Sequence, residues 1–571
     1  MTMNNLNKNG ARFILSALYE EGIEYFFMVP GKIINPFMCC YNINFQEKIR
    51  PIIAAHESGA AYMADGYARA TGKFGVCLVI DGPGSVNAVP GIAAAYADNS
   101  AVLLIAGRIP RGFEMKGALQ DATQSGVNLT SLMKPITASA HDVPDISSLE
   151  SYFKNAIKTM LGCEIKPAYL AIPKDIQLEE INQLYKKINE NLLRHSFFND
   201  SQLEILKNKV FLTSKKICVI MGGKIRSSKI TEAIIYFSEK YSIPVATTIS
   251  SKGFFPEDHF LSLGMFGYSG HRRAIDSILS DGLDLLILIG FDVTQWTTLA
   301  WHKNIKPKNG IIQVDRNPAY LGKNLAIDYP IVGDEFSFLQ YFIKNDENSL
   351  LKTVDARKDW LDKINEIPMY YEDEDYSGNY PVHPAFVVKL ARKIFPRDTM
   401  LVVDAGSHRV FVAHYWKAYG PFDFFATTTL APMGWAVPAS IGIKIAHPDR
   451  PCLVITGDGC MLMNGIEIQT AARYKLKIIY IVVNNGYYGA TFFNNRNNIQ
   501  EMSCLPTHNW AQFASALGLE SCIVEDPKEL EEALYLAVKS NKTFLLDVRC
   551  GYEYRPPLQE YTKQLKEFSI L

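Results

Sequence analysis

Short runs of aliphatic and β-branched residues recur along this sequence, separated by amphipathic or alanine-rich stretches long enough to form helices. This alternation restricts the fold more than any other feature. A strand that reads as an unbroken apolar run is buried on both faces, and strands alternating with helices build βαβ units in a parallel sheet. The first block starts at Ala11 and ends near residue 178, with EYFFMV, IIAA (52–55), FGVCLVI (74–80), AVLLIAG (101–107) and PAYLAI (167–172) as strands. A polar stretch, 178–195, reads as a linker helix. The second block supplies KICVIMGG (216–223), IPVATT (243–248), LDLLILIG (283–290) and GIIQVD (310–315). A charge-rich passage, 344–380, then reads as a solvated crossing, and its cluster Glu372–Asp375 as a solvated face rather than a metal site. The third block contributes TMLVVDAG (399–406), RPCLVITGDG (450–459), KLKIIYIVVNN (475–485) and TFLLDVR (543–549). The expected class is α/β, with three doubly wound parallel-sheet domains at 1–180, 198–345 and 378–555 and a C-terminal tail at 556–571.

Composition narrows the partners. Lys plus Arg number 58 against 59 Asp plus Glu, so a net charge of -1 provides no field for holding nucleic acid or an anionic membrane. Small molecules are the expected ligands. The ten cysteines form no C-x-x-C pair, which speaks against a zinc site or disulfide framework and fits a reducing cytoplasm. The polar start MTMNNLNKNG lacks a signal-peptide apolar region, and no apolar run is long enough to span a bilayer.

The chemistry concentrates in the third block. There a strand delivers Gly457-Asp458-Gly459 at its carboxyl end, a helix crosses back, and the next strand ends at Asn484-Asn485. One βαβ unit takes about 30 residues, so Asp458 and Asn485 emerge at the same sheet edge, where such folds bind ligands. A carboxylate, an amide oxygen and a backbone carbonyl are hard ligands suited to Mg²⁺, which completes its octahedron with phosphate oxygens. Glycines let the backbone approach those phosphates, and the following helix offers free N–H groups. The plainer alternative is that GDG is a tight turn and NN a strand stop.

GDG followed by NN resembles the signature of thiamine-diphosphate enzymes. At the other end of the chain, IIAAHESGAAYMADGYARATGK (52–73) is similar to that family's segment bearing its catalytic glutamate, which falls on Glu57. Apolar neighbours such as Ala54, Ala55, Ala60 and Ala61 are expected to desolvate this carboxyl and raise its pKa, so that it shares a proton with a ring nitrogen. Further segments, among them VPGKI (29–33), GPGSVN (82–87), ALQDA (118–122), IPKDIQ (172–177), DAGSH (404–408) and MGWAVPASIG (433–442), are similar to acetolactate synthase relatives. The resemblance implies pyrimidine-binding, central and diphosphate-binding domains in that order. It implies a catalytic role for Gln120 beside Glu57, and diphosphate contacts at Ser407, His408, Gly457, Gly459 and Cys460. Met433 falls on the residue that bends the cofactor, and Asp458, Asn485 and the Tyr487 carbonyl fall on the metal ligands. Thiamine diphosphate and Mg²⁺ are the implied cofactors. Glu57 and the metal site belong to different subunits in this family, which implies a homodimer or homotetramer.

Departures from the pattern count too. The arginine that follows the strand matching LDLLILIG in FAD-binding kin is absent from GFDVTQWTTLAWH (290–302), so FAD is not expected. The tryptophan expected after NNGYYG is missing from ATFFNNRNN (490–498). Asp81 replaces a common Ser and Lys32 a common Gly; each faces either the substrate or, more in keeping with its type, the surface. Gly222-Gly223 reads as an ordinary strand-to-helix turn. The implied activity is decarboxylation of a 2-oxo acid and transfer of the enamine or acyl unit to a second carbonyl. The alternatives are a decarboxylase or C–C lyase without acceptor and a catalytically idle cofactor-binding subunit.

Overall fold

The protein is described by a computed structural model covering residues 8–189, 199–344, 354–494 and 500–567. It contains three six-stranded sheets, parallel throughout. The first comprises β1 (Tyr25–Met28), β2 (Arg50–Ile53), β3 (Gly75–Ile80), β4 (Val102–Arg108), β5 (Ser139–Asp142) and β6 (Ala168–Pro173), in the order β2-β1-β3-β4-β6-β5. The second comprises β7 (Ile217–Met221), β8 (Val245–Thr247), β9 (Ser262–Met265), β10 (Leu285–Ile289), β11 (Ile311–Asp315) and β12 (Tyr329–Val332), in the order β12-β11-β10-β7-β8-β9. Counted from its own first strand this is 3-2-1-4-5-6, the dinucleotide-fold order. The third comprises β13 (Met400–Val403), β14 (Phe424–Ala426), β15 (Cys452–Gly457), β16 (Ile478–Asn484), β17 (Glu520–Val524) and β18 (Phe544–Arg549), in the order β14-β13-β15-β16-β18-β17. It repeats the winding of the first sheet strand for strand.

Five helices position the site. They are α1 (Glu57–Thr71), α2 (Pro83–Ala97), α3 (Ser407–Tyr415), α4 (Ala436–Ala446) and α5 (Asp458–Asn464). Helices α1 and α4 are small-residue helices packed directly on each other. A Cβ on Gly66 would lie 2.2 Å from the Ala439 carbonyl oxygen, and one on Gly442 would lie 2.0 Å from that of Met63. Only glycine permits backbones this close. Along the same seam Trp435 Nε1 donates to Asp65 Oδ2 at 2.8 Å, while Arg69 bridges Asp65 and Asp98. Asp98 in turn accepts from the backbone N–H groups of Thr428 and Thr429. Buried polar groups are thus paired across the junction of the first and third domains, as desolvation requires.

The stretch after Leu178 is not a helix as far as it is described, to residue 189. It runs as an irregular strap whose Tyr185 ring meets Phe13 and Phe153 edge-on, and whose Ile188 is buried. The apolar spacing that reads as helical is spent on the first domain's flank. The rest of that stretch, 190–195, lies outside the described residues. Within the charge-rich crossing, Glu372–Asp375 are exposed as expected. Part of the C-terminal tail forms a helix, Gln559–Glu567, that sets Tyr561 against Tyr268 of the central domain. No described helix is long and apolar enough to cross a membrane.

Candidate active site

In the third sheet the chain leaves β13 toward one edge and β15 toward the other, which opens a crevice at their carboxyl ends. The cleft found there is lined by Gly406, Ser407, His408, Met433, Gly457, Asp458, Gly459, Cys460, Asn485 and Tyr487. Every third-domain residue singled out from the sequence therefore meets in one place.

Asp458 sits at the tip of β15, and burial pushes its carboxyl up to about 6 against the pull of the surrounding backbone N–H groups. Its Oδ1 accepts from Gly459 N at 2.9 Å and its Oδ2 from Gly486 N at 2.7 Å. Asn485 Oδ1 accepts from Tyr487 N at 3.1 Å. These bonds fix both side chains on one side of the turn. Asn484, by contrast, points back into the domain, where its Nδ2 donates to Asp547 Oδ1 at 2.8 Å. The turn is braced by residues 503–505, with Tyr488 N donating to Ser503 O and Leu505 N to Gly486 O. The crossing that follows GDG is broken rather than one helix: α5 gives way at Asn464-Gly465 to a single 3₁₀ turn and then the helix Ile468–Arg473.

The residues fit a diphosphate bound with Mg²⁺. His408 is buried, its ring is driven down to about 3 by desolvation with Arg409 adding to the effect, and its Nε2 has no hydrogen-bond partner among the described residues. A buried neutral imidazole with an orphan ring nitrogen is costly unless a ligand satisfies it. The floor of the cleft is equally specific: a Cβ on Gly459 would lie 2.8 Å from Tyr488 and 3.0 Å from Met433, and one on Gly489 would lie 2.2 Å from Ser407 Oγ. Among the described residues no group of three or more His, Cys, Asp or Glu is placed so that it could hold a metal ion. One carboxylate with amide and carbonyl oxygens is instead the donor set that leaves Mg²⁺ open to phosphate. Cys460 is buried, and its thiol donates to Ala405 O at 3.1 Å.

Asp404 was not anticipated, although it stands in DAGSH. Its Oδ1 accepts from Ala405, Gly434 and Trp435 N–H groups and its Oδ2 from Thr456 Oγ1, so one buried carboxylate ties the turn bearing Met433 to β13 and β15. The available signal was a lone aspartate ending a buried strand.

The first-domain residues gather separately. Glu57 opens α1, and its Oε2 accepts from Asn87 Nδ2 at 3.0 Å, while a Cβ on Gly84 would lie 3.3 Å from its Oε1. Asn87, three positions after Gly84, is a partner that the sequence reading quoted within GPGSVN but did not select. Gln120 adopts φ +62° and lies against Gly82, at the head of the same helix α2. Glu57 is half-buried and Ala55 is exposed, so the expected apolar enclosure is only partial within one chain. Neither Glu57 nor Gln120 lines the third-domain cleft. Lys32 is exposed at the start of the 3₁₀ turn Lys32–Ile34 that follows β1. Asp81 meets neither expectation, substrate or surface: it is fully buried, accepting from Arg108 Nε at 2.7 Å and from Tyr169 OH at 2.9 Å. Gly222 is a packing turn as expected, with no room for a Cβ beside the Gly290 carbonyl.

Comparison with known proteins assigns a family to each of the three sheets. Residues 8–129, 208–342 and 404–548 match the family descriptions thiamine pyrophosphate enzyme, N-terminal TPP binding domain, central domain, and C-terminal TPP binding domain, respectively. The probable acetolactate synthase large subunit of Methanocaldococcus jannaschii is 30% identical over 560 residues, covering 94% of this chain and 91% of that protein. The acetolactate synthase large subunit of Lactococcus lactis is 29% identical over 563 residues, covering 95% and 92%, and that of Haemophilus influenzae 28% over 553 residues, covering 95% and 94%. With three matched domains in order, and relatives aligned almost end to end, this chain belongs to the thiamine pyrophosphate enzymes of the acetolactate synthase type.

Proposed function

We propose that the chain is a carboligase that uses thiamine diphosphate and Mg²⁺ to remove CO₂ from a small 2-oxo acid of the pyruvate kind and join the remaining acyl unit to a second carbonyl compound. The observation that carries this reading is the convergence of Ser407, His408, Gly457, Asp458, Gly459 and Asn485 on one cleft. Bound thiamine diphosphate supplies the electron sink for loss of the carboxylate. The C–C bond of the donor breaks, its electron pair forms the new bond to the acceptor carbonyl carbon, and the acceptor oxygen takes a proton to give a 2-hydroxy ketone.

The chain's own groups divide the remaining tasks. Asp458, Asn485 and the Tyr487 carbonyl would hold Mg²⁺; Ser407, His408 and the backbone of Gly457, Gly459 and Cys460 would receive the diphosphate; Met433 would support the cofactor from below. Glu57 would hold and return a proton at its Oε atoms, and Gln120 would orient the reacting carbonyl. The partial enclosure of Glu57 and its absence from the cleft of its own chain support a site completed by a second copy. So do the apolar side chains left exposed near each half: Phe113, Met115 and Leu119 on the Gln120 loop, and Leu462, Met463 and Ile466 beside Asp458. A homodimer, alone or paired as a tetramer in the cytoplasm, is the assembly we infer.

The central domain is read as holding no flavin. At its own switch point, between β7 and β10, Lys224 pairs with Asp292 at 3.1 Å and with Asp315, and it lies 3.5 Å from the Tyr320 ring centre, so side chains of the chain itself occupy part of the crevice. Visible flavin absorbance in the purified protein would contradict this.

The test is a panel of 2-oxo acids with Mg²⁺ and thiamine diphosphate, each with and without acceptor, for wild type and Glu57→Gln. CO₂ release stimulated by acceptor is expected, with about a 10²-fold or larger loss of rate in E57Q and cofactor affinity held within about tenfold. CO₂ and free aldehyde in equal amounts, indifferent to acceptor, would replace the carboligase reading with a decarboxylase.

A further inference from the structure

A carboxylate that none of the roles above uses lies at the junction of the two half-sites. Glu467 follows α5 in a single 3₁₀ turn and has no solvent exposure. It comes from the third domain, yet the backbone N–H groups it holds belong to the first. Oε1 accepts from the backbone N–H groups of Ala55 and His56, each at 3.1 Å, and Oε2 accepts from Ala55 N at 3.2 Å and Thr470 Oγ1 at 2.7 Å. Ala55 and His56 are the two residues immediately before Glu57. A few ångströms on, Ser58 Oγ donates to Asn464 Oδ1 at 3.1 Å, so contacts from the third domain grip the chain on both sides of Glu57.

The neighbourhood is built around this carboxylate. Residue 59, inside α1, has to be glycine, because a Cβ there would sit 2.0 Å from Glu467 Oε1. Burial raises the Glu467 carboxyl above its usual range, and the hydrogen bonds from Thr470, Ala55 and His56 oppose that rise. Placing a carboxylate where water is excluded costs several kcal/mol unless the geometry returns it. Two consecutive N–H groups held by one carboxylate fix two successive peptide planes more tightly than a single neutral acceptor could.

We propose that Glu467 is a positioning residue for Glu57, clamping the peptide before it so that the Glu57 carboxylate is held in place for proton exchange. The proposal rests on the reading that Glu57 exchanges a proton with the bound cofactor. A displacement of about 1 Å at a reacting group costs up to about 10²-fold in rate, so a clamp on the backbone N–H of the residue just before Glu57 has ample leverage.

The experiment compares wild type, E467Q, E467A, T470V and E57Q as full chains with Mg²⁺ and thiamine diphosphate. Three quantities are measured: cofactor affinity by calorimetry, kcat and KM for pyruvate, and deuterium exchange at the thiazolium C2 position of the bound cofactor by NMR. We expect E467Q to lower both kcat and the C2 exchange rate by about tenfold or more, E467A to lower them further, and T470V by about two- to threefold, with KM and cofactor affinity held within about threefold. A purely structural role predicts instead that affinity and folded fraction fall while C2 exchange per bound cofactor is unchanged. Exchange and kcat at wild-type level in folded E467Q overturn the proposal. Should E467Q and E467A fail to fold, wild-type exchange in T470V overturns it. Wild-type exchange in E57Q would defeat the reading of Glu57 itself, a result separable from the others.

Discussion

Asp458 Oδ2 accepts a hydrogen bond from Gly486 N at 2.7 Å, so the tip of β15 and the turn after β16 are joined through one carboxylate. The two residues are 28 positions apart in sequence. On the proposed reading, removing this carboxylate loses a metal donor, and it unties the turn that carries Asn485 and Tyr487. In Asp458→Ala, cofactor affinity in the presence of Mg²⁺ is expected to fall by about 10²-fold or more, beyond the 10- to 100-fold typical of outer-shell groups. Calorimetric titration with Mg²⁺ present measures it, and affinity equal to wild type would remove Asp458 from the metal site.

Helix packing supplies a stability prediction that opposes intrinsic propensity. Gly442→Ala favours a helix by about 1 kcal/mol on its own. Its new methyl would meet the Met63 carbonyl oxygen at 2.0 Å, forcing α1 and α4 apart. A net destabilisation of about 1–3 kcal/mol is expected, read as a lower unfolding midpoint, and an unchanged or higher midpoint would show that the two helices separate freely.

The Asp81–Arg108 pair is buried on both sides, with Arg108 further bound to Asp142 and Thr130. Arg108→Met strands the Asp81 carboxylate in the interior and is expected to cost about 3–5 kcal/mol. Replacing both, as D81N/R108M, should recover most of that loss. Denaturant unfolding of the single and double variants decides; a double variant as weak as the single would mean that the surrounding polar groups, not the charge, set the cost.

Acid sensitivity should be traceable to His414. Burial in the seam between the central and third domains lowers its pKa to about 4, while its Nδ1 donates to Ser269 O at 3.1 Å. The unfolded chain takes up this proton near pH 6.5 and the folded chain only near pH 4. The stability belonging to the neutral ring is therefore complete above the unfolded value and drains away as pH falls toward the folded one, by about 3 kcal/mol at most. Relative to His414→Phe, which cannot titrate, wild type should lose ground between about pH 7 and pH 4.5. A stability difference between the two proteins that does not change with pH would refute this.

What could be read from the sequence follows the physics of sheets. The strands marked by long apolar runs, such as GVCLVI in β3, LLILI in β10 and IIYIVVN in β16, are sheet interiors, buried on both faces. Of the six edge strands, only β2 was read, from the IIAA run into His56-Glu57. β5 (SAHD) and β12 (YPIV) are partly exposed and carry no continuous apolar signal. β9 and β14 are buried, but they are short, at four and three residues, and their cover comes partly from other segments that no local pattern encodes. The site divides in the same way. Asp458 and Asn485 were legible because a parallel βαβ unit returns to the same edge. Glu467 and Asp404 were not, since their partners lie in other segments and a lone acidic residue advertises nothing. Asp81 was misjudged for the same reason: its partner Arg108 is 27 residues away, at the end of the neighbouring strand.

The matched winding of the first and third sheets makes α1 and α4 counterparts, each entered after its half's second strand, and it makes Gly82-Pro83-Gly84 the counterpart of Gly457-Asp458-Gly459. The polypeptide is in this sense a duplex of one blueprint whose copies have taken up separate trades. One copy spends its tip on housing an acid and fills the middle of the turn with an imino acid whose side chain offers no donor; the other sets a carboxylate at that same spot, which on the proposed reading becomes an anchor for charge.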